Sequence, residues 1–125
     1  MLGNVQAFSG FAVDDLDLAE RFYRDTLGVE TDKDDAMSIL TLKLAGGRDV
    51  MIYEKPDFSA ATYTILNFVV DDVDQMVIDL TDKGVRFEQY AGFDQDAKGV
   101  ARGDSGPAIA WFKDPAGNVL SVLEG

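Results

Sequence analysis

The sequence contains no histidine and no cysteine. Without histidine it lacks the commonest metal ligand and the side chain most used for acid–base work near neutral pH. Without cysteine, disulfides and thiol chemistry are excluded, although this does not fix the redox compartment. Positive charge is also scarce: 11 Lys and Arg stand against 23 Asp and Glu, a net charge of −12. Nucleic acid and anionic membrane surfaces both call for a basic face, so neither is expected as a partner. A cationic small molecule would be drawn into such a field, though solubility or a salty growth medium accounts for it equally well. No apolar run approaches the ~20 residues of a membrane span. The opening MLGNVQAFSG has no basic stretch followed by an apolar one, so no secretory signal is expected and a cytoplasmic location is.

At 125 residues, 46% apolar and 27% charged, the chain fits a single globular domain, which at this size can bury roughly two thirds of its unfolded surface. One phrase occurs twice. FAVDDLD at residues 11–17 returns as FVVDDVD at residues 68–74, identical at five of seven positions. Each copy closes an apolar strand-like run and opens a helix-like one. The aspartates read as helix caps, because Asp accepts hydrogen bonds from the free N–H groups of a first turn. Leu16, Ala19, Tyr23 and Leu27 follow the first copy at helical spacing, and Gly28 stops the helix. Val73, Met76, Val77 and Leu80 follow the second, and Gly84 stops it. Strands are expected at residues 4–13, 29–33, 36–44 and 49–54, and again at 63–70, 85–90, 107–113 and 119–124. In the third of these, Leu40, Leu42 and Leu44 alternate with polar residues. Asp114-Pro115-Ala116-Gly117-Asn118 reads as a tight turn. Each half therefore reads as strand, helix, three strands: module one spans 1–57 and module two 63–125.

This pattern, with Val13, Asp15, Leu16, Phe22, Tyr23, Leu27 and Gly28 in the first half and D-P-x-G-N near the end, resembles the vicinal oxygen chelate superfamily of glyoxalases, bleomycin resistance proteins and extradiol dioxygenases. The resemblance implies an α+β fold in which two βαβββ modules form a cup-shaped mixed sheet with helices outside. It also implies where metal-using members keep their ligands. The first-strand His positions fall on Phe8 and Ile65, the last-strand Glu position falls on Ser121, and the remaining position lies near Ile52. Phe, Ile and Ser do not make a divalent-cation site. No cofactor, no metal and no catalytic residue are expected, and the non-catalytic, drug-sequestering branch of the superfamily is the better match.

Alternation then suggests the cavity wall. Phe8 would line it with Gly10 and Ala12, and Ile65 with Asn67. Trp111 would stand opposite Ser121 across the DPAGN turn, with Phe112 and Leu120 packed outward. Glu54 is expected at the rim. Residues 91–106 form a candidate lid, carrying Phe93 as an apolar contact and Arg102 as an anion contact. The leading reading is a metal-free small-molecule binding protein, homodimeric, sequestering a cationic or aromatic compound. The alternatives are a divergent lyase, isomerase or dioxygenase-like enzyme of the same superfamily, which would need Glu54, a Tyr or an Asp as its base, and a purely structural or regulatory partner.

Overall fold

The computed structural model describes residues 1–103 and 106–125. The chain divides into two compact units, Met1–Ser59 and Ala60–Gly125. The first runs β1 (Ser9–Val13), α1 (Leu16–Arg21), β2 (Glu30–Asp34), β3 (Ile39–Lys43) and β4 (Val50–Glu54). Its four strands lie in the order β1-β4-β3-β2, with β1 parallel to β4 and the other pairs antiparallel. The second runs β5 (Thr64–Val70), α2 (Val73–Asp82), β6 (Ile109–Lys113) and β7 (Val119–Glu124). Its strand order is β5-β7-β6, with β5 parallel to β7 and β6 antiparallel to it.

The repeated heptad is the same joint built twice. Asp15 caps α1 by accepting from the Leu18 N–H at 3.1 Å, and Asp72 caps α2 by accepting from the Gln75 N–H at 3.0 Å. A glutamate at the end of each unit's last strand completes the cap. Glu54 accepts from the Leu16 N–H at 3.3 Å, and Glu124 from the Val73 N–H at 3.1 Å. The parallel register makes this possible, because Val13 pairs with Glu54 and Val70 with Glu124 at the point where each helix begins. Two of the four free N–H groups of each first turn are thus satisfied. Behind the caps, Val13, Leu16, Ala19, Tyr23, Leu40 and Ile52 are buried in the first unit. Val73, Val77, Leu80, Phe112, Leu120 and Val122 are buried in the second.

Several expected elements come out shorter or do not form; the strands expected at residues 36–44 and 107–113 are Ile39–Lys43 and Ile109–Lys113. The first strand begins at Ser9 rather than residue 4, because its partner strand begins at Val50, directly opposite Ser9. Upstream, Leu2–Asn4 form a single 3-10 turn instead. The first helix leaves α-geometry after Arg21 for a wider π-turn over Phe22–Thr26, in which the Leu27 N–H reaches the Phe22 carbonyl at 3.0 Å. Gly28, at φ 72°, then lets the chain turn out of the helix. Residues 85–90 touch β6 through one bridge, Phe87 with Phe112, and one hydrogen bond from the Glu88 N–H to the Trp111 carbonyl at 2.8 Å. They do not continue as a strand because a side chain intervenes. Gln95 accepts from the Tyr90 N–H at 2.7 Å and donates to the Glu88 carbonyl at 2.9 Å. Further along β6, Ala101 takes the edge by exchanging two hydrogen bonds with Ile109.

Candidate functional site

In each unit one sheet face packs against the helix and the other does not. In the second unit α2 lies over β6 and β7, and Ala110, Phe112, Leu120 and Val122 are buried on that side. The opposite face carries a row that crosses all three strands: Trp111 on β6, Ser121 on β7 and Asn67 on β5. Beside it runs an apolar row, Ile109, Leu123 and Val69, in which Val69 is 69% exposed. Ser121 is fully buried and its hydroxyl donates to the Asn67 side-chain carbonyl at 2.5 Å.

Trp111 is half-buried and keeps two aromatic neighbours. The Tyr90 ring lies edge-on at 5.7 Å between centroids, and the Phe93 ring is tilted at 5.0 Å. Such arrangements match the electron-poor edge of one ring to the electron-rich face of another. Burial pushes the Tyr90 phenol above its ordinary value, the Glu88 carboxylate adds to this, and the Lys113 ammonium opposes it. Tyr90 is therefore a neutral hydroxyl at pH 7, able to donate or accept a hydrogen bond but not to serve as a base.

The structure brings Asn67, Phe93, Trp111 and Ser121 together in the second unit. Ile65 lies beside them at a register shift, where the β5–β7 ladder skips from Thr64 to Leu66. In the first unit Phe8 is 71% exposed just before β1, in phase with Gly10 and Ala12 on the helix-free face. Gly10 is required there, since a Cβ would sit 2.9 Å from the Met51 carbonyl oxygen across the ladder.

Three expected site residues are placed elsewhere. Ile52 is fully buried beside Leu40 on the helix side of its sheet, so it is core; Met51 and Tyr53 occupy the opposite face. Glu54 has the same phase as Ile52 and is engaged in capping α1. Arg102 is paired with Asp74 at the start of α2 and with Asp96 at 3.1 Å. The hydrogen bond that Arg102 donates to Asp74, opposed by burial and helped by the Asp74 and Asp96 charges, raises the Arg102 pKa, and the guanidinium is engaged with these two carboxylates rather than with an anion site. Of the candidate lid, Asp104 and Ser105 lie outside the described residues. The rest is built rather than open. Asp96 accepts from the Lys98 and Val100 N–H groups, each at 2.9 Å, and Val100 and Ala101 are buried. Burial raises the Asp96 pKa, but those two N–H groups and Arg102 together outweigh it and hold the carboxyl below its ordinary value.

Sequence reasoning missed Tyr90 and Gln95. Tyr90 lies three residues before Phe93, an aromatic pair on a non-periodic segment, which is a readable signal. Gln95 carries no such signal, because its role depends on backbone groups that only the fold brings within reach.

Among the described residues, no three His, Cys, Asp or Glu side chains are grouped so as to hold a metal ion. The positions where metal-using relatives would carry ligands do not fit one. Phe8 is an aromatic ring, Ile65 is aliphatic, and the single Ser121 hydroxyl is bonded to Asn67.

The chain belongs to the Glyoxalase/Bleomycin resistance protein/Dioxygenase superfamily, whose family model matches residues 5–122. No curated protein matches it. Among solved structures it is similar to a lactoylglutathione lyase from Agrobacterium tumefaciens, at 23% identity over 98% of this chain and 94% of that one, with a TM-score of 0.72. It is similar to TnmS3, an antibiotic binding protein from Streptomyces sp. CB03234, at 20% identity over 97% of each chain and a TM-score of 0.71. It is also similar to the fosfomycin resistance protein FosX from Listeria monocytogenes, at 16% identity over 98% of this chain and 93% of that one, with a TM-score of 0.73. At these identities the likeness establishes the fold.

Proposed function

We propose that the protein binds a small planar aromatic compound without a metal, and that Trp111 is its main recognition surface. The observation that carries this is the half-exposed indole on the helix-free face of the second sheet, in contact with the Tyr90 and Phe93 rings. The role is sequestration rather than turnover. Tyr90 is a neutral phenol, Glu54 is committed to α1, and the Glu88 carboxylate beside Tyr90 is paired with Lys113 at 3.6 Å, which favours binding over turnover. The antibiotic binding protein among the similar structures supports the same reading. The net charge of −12 extends the ligand class to aromatic cations.

The test uses the single tryptophan. A planar aromatic probe should quench its fluorescence, and calorimetry should show binding weakened more by Trp111→Ala than by Trp111→Phe, which keeps a smaller ring. A cationic ring over the indole gains about 2 kcal/mol, or roughly thirtyfold in affinity. Metal analysis of the dialysed protein should find no stoichiometric ion. Binding that survives Trp111→Ala unchanged, or one tightly held ion per chain, would overturn the proposal. The assembly proposed is a homodimer, resting on the prevalence of two-fold pairing; light scattering at the mass of one chain over a wide concentration range would refute it.

A further inference from the structure

The row Trp111–Ser121–Asn67 narrows the ligand further, and the inference rests on the aromatic site just proposed. The three residues are directly cross-strand, so they span two inter-strand spacings, roughly 10 Å. The indole is at one end and the Asn67 amide at the other. The Ser121–Asn67 contact places the amide oxygen toward Ser121. At 2.5 Å it falls in the range of an O–H···O bond and below that of N–H···O. The hydroxyl therefore donates to the amide oxygen, and the amide NH2 is left over. Asn67 is exposed, and among the described residues that NH2 has no acceptor. The middle of the row offers a ligand nothing, because Ser121 is buried and already bonded. Ile109, Leu123 and Val69 supply an apolar edge along the same span.

We infer that Asn67 is the specificity-determining residue of this site, and that the ligand is a planar fused-ring aromatic carrying a carbonyl-type acceptor at the end remote from Trp111. A ring system of that length stacks at the indole and places its acceptor on the Asn67 NH2. A cation with no acceptor lies against the same ring but leaves the donor at the far end unpaired. Asn67 therefore adds affinity for acceptor-bearing planar aromatics that a ring without an acceptor does not gain.

Acridone and N-methylacridinium test this as a matched pair, since both are planar tricycles but only the first carries a ring carbonyl. The variant is Asn67→Asp, which is close to isosteric, keeps an acceptor for Ser121 and replaces the free donor with a carboxylate oxygen. Calorimetry should show that changes at Asn67 move acridone and N-methylacridinium in different ways, whichever of the two the indole favours in the wild type. In Asn67→Asp, acridone should weaken by tenfold or more and N-methylacridinium should tighten, shifting their ratio toward the cation. Asn67→Ala should weaken acridone by about two- to tenfold, the range for one ordinary hydrogen bond, and leave N-methylacridinium nearly unchanged. If acridone affinity is the same in wild type and Asn67→Asp while Trp111→Ala still abolishes binding, the Asn67 assignment is wrong and the aromatic site stands. If Trp111→Ala changes neither probe, or neither probe binds the wild type, the site itself is wrong and this inference falls with it.

Discussion

Asn118 closes the D-P-x-G-N turn with 2% of its surface exposed. Its N–H donates to the Asp114 carboxylate at 2.9 Å, its side-chain NH2 donates to the other oxygen at 3.2 Å, and its side-chain carbonyl accepts from the Ala61 N–H at 3.1 Å. One side chain therefore fixes both the β6–β7 hairpin and the segment that leads into β5. Asn118→Ala should destabilise the protein by about 1–3 kcal/mol, the cost of leaving buried partners unsatisfied, read as a lower urea midpoint at unchanged slope. A change under ~0.5 kcal/mol would mean that water replaces the amide. The same turn explains why part of the site was legible in the sequence. Five residues of strong turn chemistry, with Gly117 at φ 95°, fix the hairpin phase, so Trp111 opposite Ser121 follows by counting. Ile52 and Glu54 had no such anchor. β4 is reached through a 3-10 turn over Ala45–Gly47 whose exit phase the residues do not specify, and a one-residue error exchanges the two faces.

At the scale of elements, both helices were readable because each carries two independent signals, an Asp cap and an apolar stripe. The matching glutamates were not, since Glu54 and Glu124 reach their helices only through the parallel β1–β4 and β5–β7 ladders. Their equivalence makes a test with an internal control. Glu124→Ala should cost about 0.5–2 kcal/mol by uncapping the Val73 N–H, and Glu124→Gln should cost less, because the amide oxygen can still accept. Glu54→Ala should repeat the pattern in the first unit, somewhat more weakly, given its longer 3.3 Å bond. Equal losses for Ala and Gln at Glu124 would show that the carboxylate acts through its charge on the helix end rather than as an acceptor. The strand expected at residues 85–90 failed for a different reason. Its composition is strand-like, but the Gln95 amide competes for the Glu88 and Tyr90 backbone groups, and a side chain that reaches back five and seven residues is invisible to periodicity.

The whole molecule carries a net charge of −12, and two effects of opposite sign set how salt acts on its stability. Lys33, Lys43, Lys55, Lys113, Arg24 and Arg102 each face a carboxylate. Salt weakens such pairs, but exposed pairs contribute about 0–1 kcal/mol each and act at contact distance, where screening is least effective. The excess carboxylates repel one another over longer distances, beyond the Debye length of about 10 Å at 0.1 M, where screening is nearly complete. Repulsion is therefore the effect that salt removes. Raising NaCl from about 0.05 to about 0.5 M should raise the melting temperature by several degrees, since for a chain of this size 1 kcal/mol corresponds to a few degrees. NaCl is the salt to use, because sulfate would stabilise by exclusion from the surface whatever the charge. A fall in melting temperature would show that the ion pairs dominate, with the Arg102 pairs to Asp74 and Asp96 the first to examine. In that case Arg102→Ala should abolish much of the salt dependence and expose the link between residues 96–102 and α2 as a stabilising network rather than a set of surface contacts.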